Sequence, residues 1–184
     1  MTIFLAIVLG LFFGFALQRV GATNPENIIN MLRLTDLHLM KAILFAIGVS
    51  SIFLFTLMSV GIIDSGHLSV KSSYIGVIVG GAVLGLGFAI AGYCPGTGLA
   101  AIGTGRKDAL VFVIGGLGGA LLYMLVYGSI EGSWLFNDIA GGKVMLAQGF
   151  DKYTALIPGV PGVQLAAGIG VVFILIAWKL PDKV

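Results

Sequence analysis

Five apolar runs, each long enough to cross a lipid core, leave this chain almost no soluble fold to adopt. A hydrocarbon core takes roughly 20 consecutive apolar residues of helix. Runs of that order sit near Thr2–Arg19, Leu37–Ile63, Tyr74–Tyr93, Ala109–Tyr127 and Gly162–Leu180. Hydrophobic residues make up 58% of the chain and charged residues 10%, against about 25% charged in a soluble domain. So few charges cannot cover that much apolar surface in water. The 29 glycines fit the same reading, because glycine lets membrane helices approach closely and permits breaks. The expected class is an all-α integral membrane protein, a single transmembrane domain over 1–184 of about five spanning helices, and its first partner is the lipid bilayer.

Several function classes fall away early. The net charge is only +2, and the basic residues flank apolar runs instead of forming a nucleic-acid patch. The chain has one cysteine and two histidines, His38 and His67. That leaves no internal disulfide and no Cys/His metal site. No Walker-type phosphate loop and no Ser/His/Asp constellation is present, so neither direct ATP drive nor hydrolysis is expected, and no cofactor is called for. No Asp, Glu or Lys lies near the middle of a span, where ion-driven carriers often place carboxylates. The run from Thr2 to Leu17 lacks the basic leader and small-residue cleavage site of a secretory signal, and reads as a retained helix.

Basic residues set the orientation. Arg19, Arg33, Lys41, Arg106, Lys107, Lys179 and Lys183 fall on one side, and Lys71, Lys143 and Lys152 on the other. The N-terminus is therefore expected outside and the C-terminus in the cytoplasm. The longest connection, from about Gly128 to Pro161, carries Glu131, Asp138, Asp151, Trp134 and Tyr153. It reads as a solvated loop with a surface turn, and Met145 to Phe150 is the stretch suited to lie along the membrane surface.

Val8-Leu9-Gly10-Leu11 recurs as Val83-Leu84-Gly85-Leu86. A proline-initiated segment follows each: Asn24-Pro25-Glu26-Asn27 in one, Cys94-Pro95-Gly96-Thr97 in the other. Asp36 and Asp108 then open the next spans. Proline suits the first helical position and Asn is a good N-cap. The order predicts span, short helix, span, twice, as a parallel repeat of the kind found in transporters. Repeat one covers about 2–63, repeat two about 74–128, and an extra span about 162–180.

The lone thiol sits where the third apolar run breaks, in Gly92-Tyr93-Cys94-Pro95-Gly96-Thr97-Gly98. Irregular backbone at membrane depth survives only inside protein or beside a wet cavity. Free N–H groups at a helix start at Pro95 would favour an anion and raise the reactivity of the thiol. Gly96 and Gly98 would let a ligand approach the backbone, and Thr97 adds a hydroxyl. The competing reading is a cysteine that acts as a small buried hydrophobe. Tyr93 fits either a closing or a packing role. Arg19 matches Cys94 when the repeats are counted from the quartets, and Asn24 matches it when counted from the prolines. Arg19 could attract an anion or anchor the inner face, and Gln18 could donate to substrate or pack. Asp36, Asp108 and Glu26 read as helix-start carboxylates, and Arg106-Lys107 as a marker of the cytoplasmic face.

The motif G-Y-C-P-G-T in a glycine-rich membrane chain resembles the YeeE/YedE family, which includes thiosulfate-uptake permeases. Leu17-Gln18-Arg19, Asn24-Pro25 and Met31 through Lys41 (MLRLTDLHLMK) look like its short, half-length members. The resemblance covers about residues 3–127, and the last span is similar in character. It implies a bacterial inner-membrane protein. Full-length members have two related halves around an hourglass-shaped path, in which cysteines pass thiosulfate inward through transient S–H···S contacts. Carried over, Cys94 would be such a cysteine, and Gly92, Pro95, Gly96 and Thr97 would shape its site. A second chain, another copy or a related half-length protein, could supply the missing half of such a path. The leading expectation is a transporter of a small sulfur-containing anion such as thiosulfate. The alternatives are a sulfur relay through a Cys94 persulfide to a cytosolic acceptor, and a purely structural membrane subunit.

Overall fold

A computed structural model describes residues 2–63, 69, 71–139, 141–148 and 154–182. Five long apolar helices appear among them: α1 (Thr2–Val20), α3 (His38–Ser59), α4 (Ile75–Ala91), α6 (Lys107–Ile130) and α7 (Gly162–Lys179). Two eight-residue helices, α2 (Pro25–Leu32) and α5 (Pro95–Ile102), follow α1 and α4. The chain is thus a mostly helical membrane protein, with spans within a few residues of their sequence positions. Two eight-residue helices each begin on a proline, and each is followed by a long apolar helix.

The long helices bury very little against the protein. No residue of α1 is buried, and even in α7 only 17% of the apolar window is. Their Leu, Ile, Val and Phe side chains would be intolerable in water at this density and are at home in hydrocarbon.

The chain forms two compact units. One consists of Met1–Leu39, Ala82–Ile130 and Pro181–Val184, and holds α1, α2, α5 and α6. Its α5 packs on α6 around Tyr93, Ala101 and Ala109. The other consists of Met40–Gly81 and Glu131–Leu180, and holds most of α3 and all of α7. There α3 and α7 touch backbone to backbone. A Cβ on Gly48 would lie 2.7 Å from the Gly170 carbonyl oxygen, and one on Gly170 would lie 2.9 Å from the Gly48 oxygen.

The long connection before α7 differs from the expected loop. Val144–Gln148 (β1) and Thr154–Pro161 (β2) form a parallel two-stranded sheet, with Val144 opposite Thr154 and Ala147 opposite Ile157. Leu146 is exposed and Ala147 buried, as successive strand residues on opposite faces are, but both are apolar, so the sequence shows no alternation there. The proposed surface stretch is therefore strand as far as Gln148. Gly149 and Phe150 lie outside the described residues, as do His67, Asp151, Lys152, Tyr153 and Lys183. Upstream, Trp134–Phe136 forms a 3-10 turn, and the segment after it is pinned to the start of α4. The Ser73 N–H donates to the Gly142 carbonyl (2.8 Å), the Ile139 N–H to the Ser73 carbonyl (2.8 Å), and Tyr74 stacks on Phe136 at 5.3 Å.

The paired glycines give a direct test. Gly48→Leu or Gly170→Leu should cost about 1–3 kcal/mol of stability through overpacking, read as a lower Tm of the purified protein. Gly10→Ala, in open space on α1, should leave Tm unchanged or raise it, since alanine suits a helix better by about 0.5–1 kcal/mol.

Candidate functional site

The break between α4 and α5 begins at Gly92, whose N–H donates to the Phe88 carbonyl (2.9 Å) and closes the last turn of α4. Its φ of +67° is in the left-handed region, where glycine is at home. A side chain is excluded on a second ground, because a Cβ there would lie 2.8 Å from Pro25 Cβ and 2.9 Å from the Pro25 oxygen. The start of α2 and the end of α4 therefore meet at this glycine.

Cys94 is the N-cap of α5, with extended backbone (φ −87°, ψ 164°) and Pro95 in the first turn. Its sulfur does the work usually given to a Ser or Asp oxygen. The Thr97 N–H donates to Cys94 Sγ (3.3 Å), and the Cys94 N–H donates to Thr97 Oγ1 (2.9 Å). This is a capping box with a thiol in it. The Thr97 hydroxyl lies 3.2 Å from both Cys94 Sγ and the Cys94 carbonyl, so its one proton can serve either. The Gly98 N–H donates to the Cys94 carbonyl (2.9 Å). Pro95 has no N–H to give. The Gly96 N–H is thus the first-turn donor with no partner among the described residues. Gly96 is exposed and has nothing within 4 Å of where its Cβ would be. Cys94 itself is half-buried and free.

Beneath the thiol the loop is firmly held. Tyr93 is 2% exposed, with its ring 5.6 Å from Phe112 on α6 and its hydroxyl donating to Asp108 Oδ2 (2.8 Å). The geometry gives it a packing role. Gly98 is required here too, since a Cβ would lie 2.6 Å from the Phe112 ring. Arg106 grips Asp108 with Nε (3.2 Å) and Nη2 (3.0 Å), and Nη1 reaches Asn24 Oδ1 at 3.5 Å. The Asp108 carboxylate holds the Arg106 guanidinium above its ordinary pKa, so it is always charged.

The first short helix is built alike. Gly21 (φ +79°) ends α1, Asn24 caps α2 by accepting from the Glu26 N–H (3.3 Å), and Pro25 takes the first turn. Gln18 accepts a bond from the Thr23 hydroxyl, and the Asn27 amide donates to the Gly21 carbonyl (2.9 Å). Gln18 therefore serves the turn after its own helix. Arg19 is exposed in the last turn of α1, where a cation suits the helix dipole. The fold gathers Gly92, Tyr93, Cys94, Pro95, Gly96 and Thr97 into one continuous site. Gln18 and Arg19 lie at the end of α1, a helix that itself touches α5. Asn24, Arg106, Asp108 and Phe112 join that site's surroundings, and only the short Arg106–Asp108 spacing hinted at this.

The sequence pattern of the sulphur transport family matches residues 23–182. The chain belongs to that family. The match reaches through α7, so the last span is part of the family pattern and not merely alike in character. Two curated relatives, from Xylella fastidiosa strains Temecula1 / ATCC 700964 and 9a5c, are each described as a probable transporter. Each is 28% identical over 126 residues, which is 64% of this chain and 85% or 86% of the relative. No solved structure matches the chain.

The capping box separates the fold of this family member from its chemistry. Thr97→Ala should destabilise by about 1 kcal/mol. Cys94→Ser keeps an N-cap acceptor and should match or exceed the wild-type Tm. Thermal melts of the purified variants check both.

Proposed function

We propose that this sulphur transport protein carries a small sulfur-containing anion, with thiosulfate the best candidate, inward across the bacterial inner membrane, with Cys94 as the transient substrate contact. The observation that carries this is the thiol at the start of α5 beside an unpartnered N–H. The sulfur accepts from Thr97 and keeps its own hydrogen for a substrate sulfur. The Gly96 N–H is free for an oxyanion oxygen, and the position is open enough for one to approach. An S–H is a weak donor. Weakness suits passage, because a permeating ion must bind well enough to enter and loosely enough to leave.

The N-terminus lies outside in this reading, with Arg19, Arg33, Lys41, Arg106, Lys107 and Lys179 at the cytoplasmic side. The order α1-α2-α3 and α4-α5-α6 is read as two parallel copies, with Asn24 in one occupying the place of Cys94 in the other. A second copy of the chain, or a related half-length protein, completes the path. The relatives support the use of short chains, since a 126-residue alignment spans 85% of one of them.

Uptake of labelled thiosulfate into proteoliposomes holding only this protein tests the reading. Cys94→Ala should lower the rate about tenfold or more, the effect of losing about 1.4 kcal/mol at the rate-limiting step. Full uptake by that variant would remove Cys94 from the mechanism. Mass spectrometry after exposure to thiosulfate should find Cys94 unmodified, whereas a lasting gain of sulfur would favour a persulfide relay. Gly96→Val should slow uptake at an unchanged Tm, because its side chain would fill open space over the donor.

A further inference from the structure

We propose that Asp108 is a positioning residue for Cys94. It acts through Tyr93, and Arg106 extends the same support to the cap of α2. This rests on the reading of Cys94 as the substrate contact, but the positioning itself can be measured without transport.

Tyr93 is the residue immediately before Cys94, in a loop that neither α4 nor α5 holds by its own ladder. Gly92 turns the chain with a positive φ, and Cys94 is already extended. The capping box with Thr97 holds Cys94 from the α5 side, and on the α4 side the direction of the backbone that carries the thiol depends on what fixes Tyr93. Two things do. The ring is packed on Phe112 at a tilt of 45° and among Ala101 and Ala109, and apolar contact of this kind is non-directional. The hydroxyl bond to Asp108 Oδ2 at 2.8 Å supplies the direction. Asp108 stands in the first turn of α6, so the loop is referred to a long helix instead of to its own short one.

Asp108 is in turn held on both oxygens by Arg106. Its side chain is 49% exposed and that of Arg106 37%. An exposed pair of this kind adds little to stability, so its value lies in direction. The planar guanidinium fixes the carboxylate plane, and its remaining nitrogen faces Asn24 Oδ1 at 3.5 Å. The N-caps of both short helices, Asn24 and Cys94, therefore hang on one carboxylate. A shift of Asp108 would move the thiol and loosen the α2 cap together.

The test is a double-mutant cycle on the alkylation rate of Cys94 by N-ethylmaleimide in the purified full chain. Tyr93→Phe keeps the ring and deletes the hydroxyl, and Asp108→Ala deletes its acceptor. Each single variant should change the rate severalfold in the same direction, and the double variant should match the singles, because one bond is lost in all three. Asp108→Asn, which keeps an acceptor for Tyr93, should recover most of the wild-type rate. In thiosulfate uptake, Tyr93→Phe should raise KM more than it lowers the maximal rate. Additive effects in the cycle, or wild-type alkylation in both single variants, would overturn the proposal. Cys94→Ala with full uptake beside a coupled alkylation cycle would sink the transport role of Cys94 and leave the positioning intact. Severalfold alkylation changes with an unaltered KM would do the same.

Discussion

A break in a membrane helix frees backbone groups that lipid cannot satisfy, and the segment from Gly92 to Gly98 is shaped by that demand. Several of the groups near the break find partners within a few residues. Gly92 closes α4, the Cys94 carbonyl takes the Gly98 N–H, and Thr97 exchanges bonds with Cys94 in both directions. Pro95 removes one donor by having none. In the first turn of α5 this leaves the Gly96 N–H, beside the thiol.

The same demand explains why the polar side chains of this region cluster. Tyr93, Arg106, Asp108 and Asn24 form one connected set. A tyrosine hydroxyl packed among Phe112, Ala101 and Ala109 needs a bond partner, and Asp108 supplies it from the exposed end of a helix. The charge pair faces outward and its tyrosine arm points in. Burying the charge pair itself would have been costly.

Much of this could be read from the chain. Apolar runs gave the spans because a hydrocarbon core imposes length and apolarity on consecutive residues. Asn24-Pro25 and Cys94-Pro95 marked the starts of the short helices because capping depends on neighbours one to three residues apart. Other features depend on approach between distant residues and have no local trace. Gly92 is a glycine partly because Pro25 lies against it, and Gly98 because Phe112 does. Tyr93 looked free to close a passage, yet its partner is Asp108 on the next long helix. The strands β1 and β2 were hidden by short length and by a proline- and glycine-rich β2, which reads as loop.

The difference between the two caps bears on how the chain handles an ion. Asn24 and Cys94 occupy equivalent places before equivalent prolines, and both side chains accept a bond from the first turn of their helix. Asparagine is the better cap, as amide oxygens generally are. A cysteine in that place gives up capping strength, and the surrounding box with Thr97 makes good part of the loss. Stability alone would have selected Asn, Ser or Asp at position 94. A polarisable sulfur there fits the proposed role: a sulfur-bearing ion would meet a soft, weakly bonding group, while the oxygens of the ion would meet a harder N–H. Asn24 faces Arg106 instead, and a soft atom would serve no purpose opposite a guanidinium.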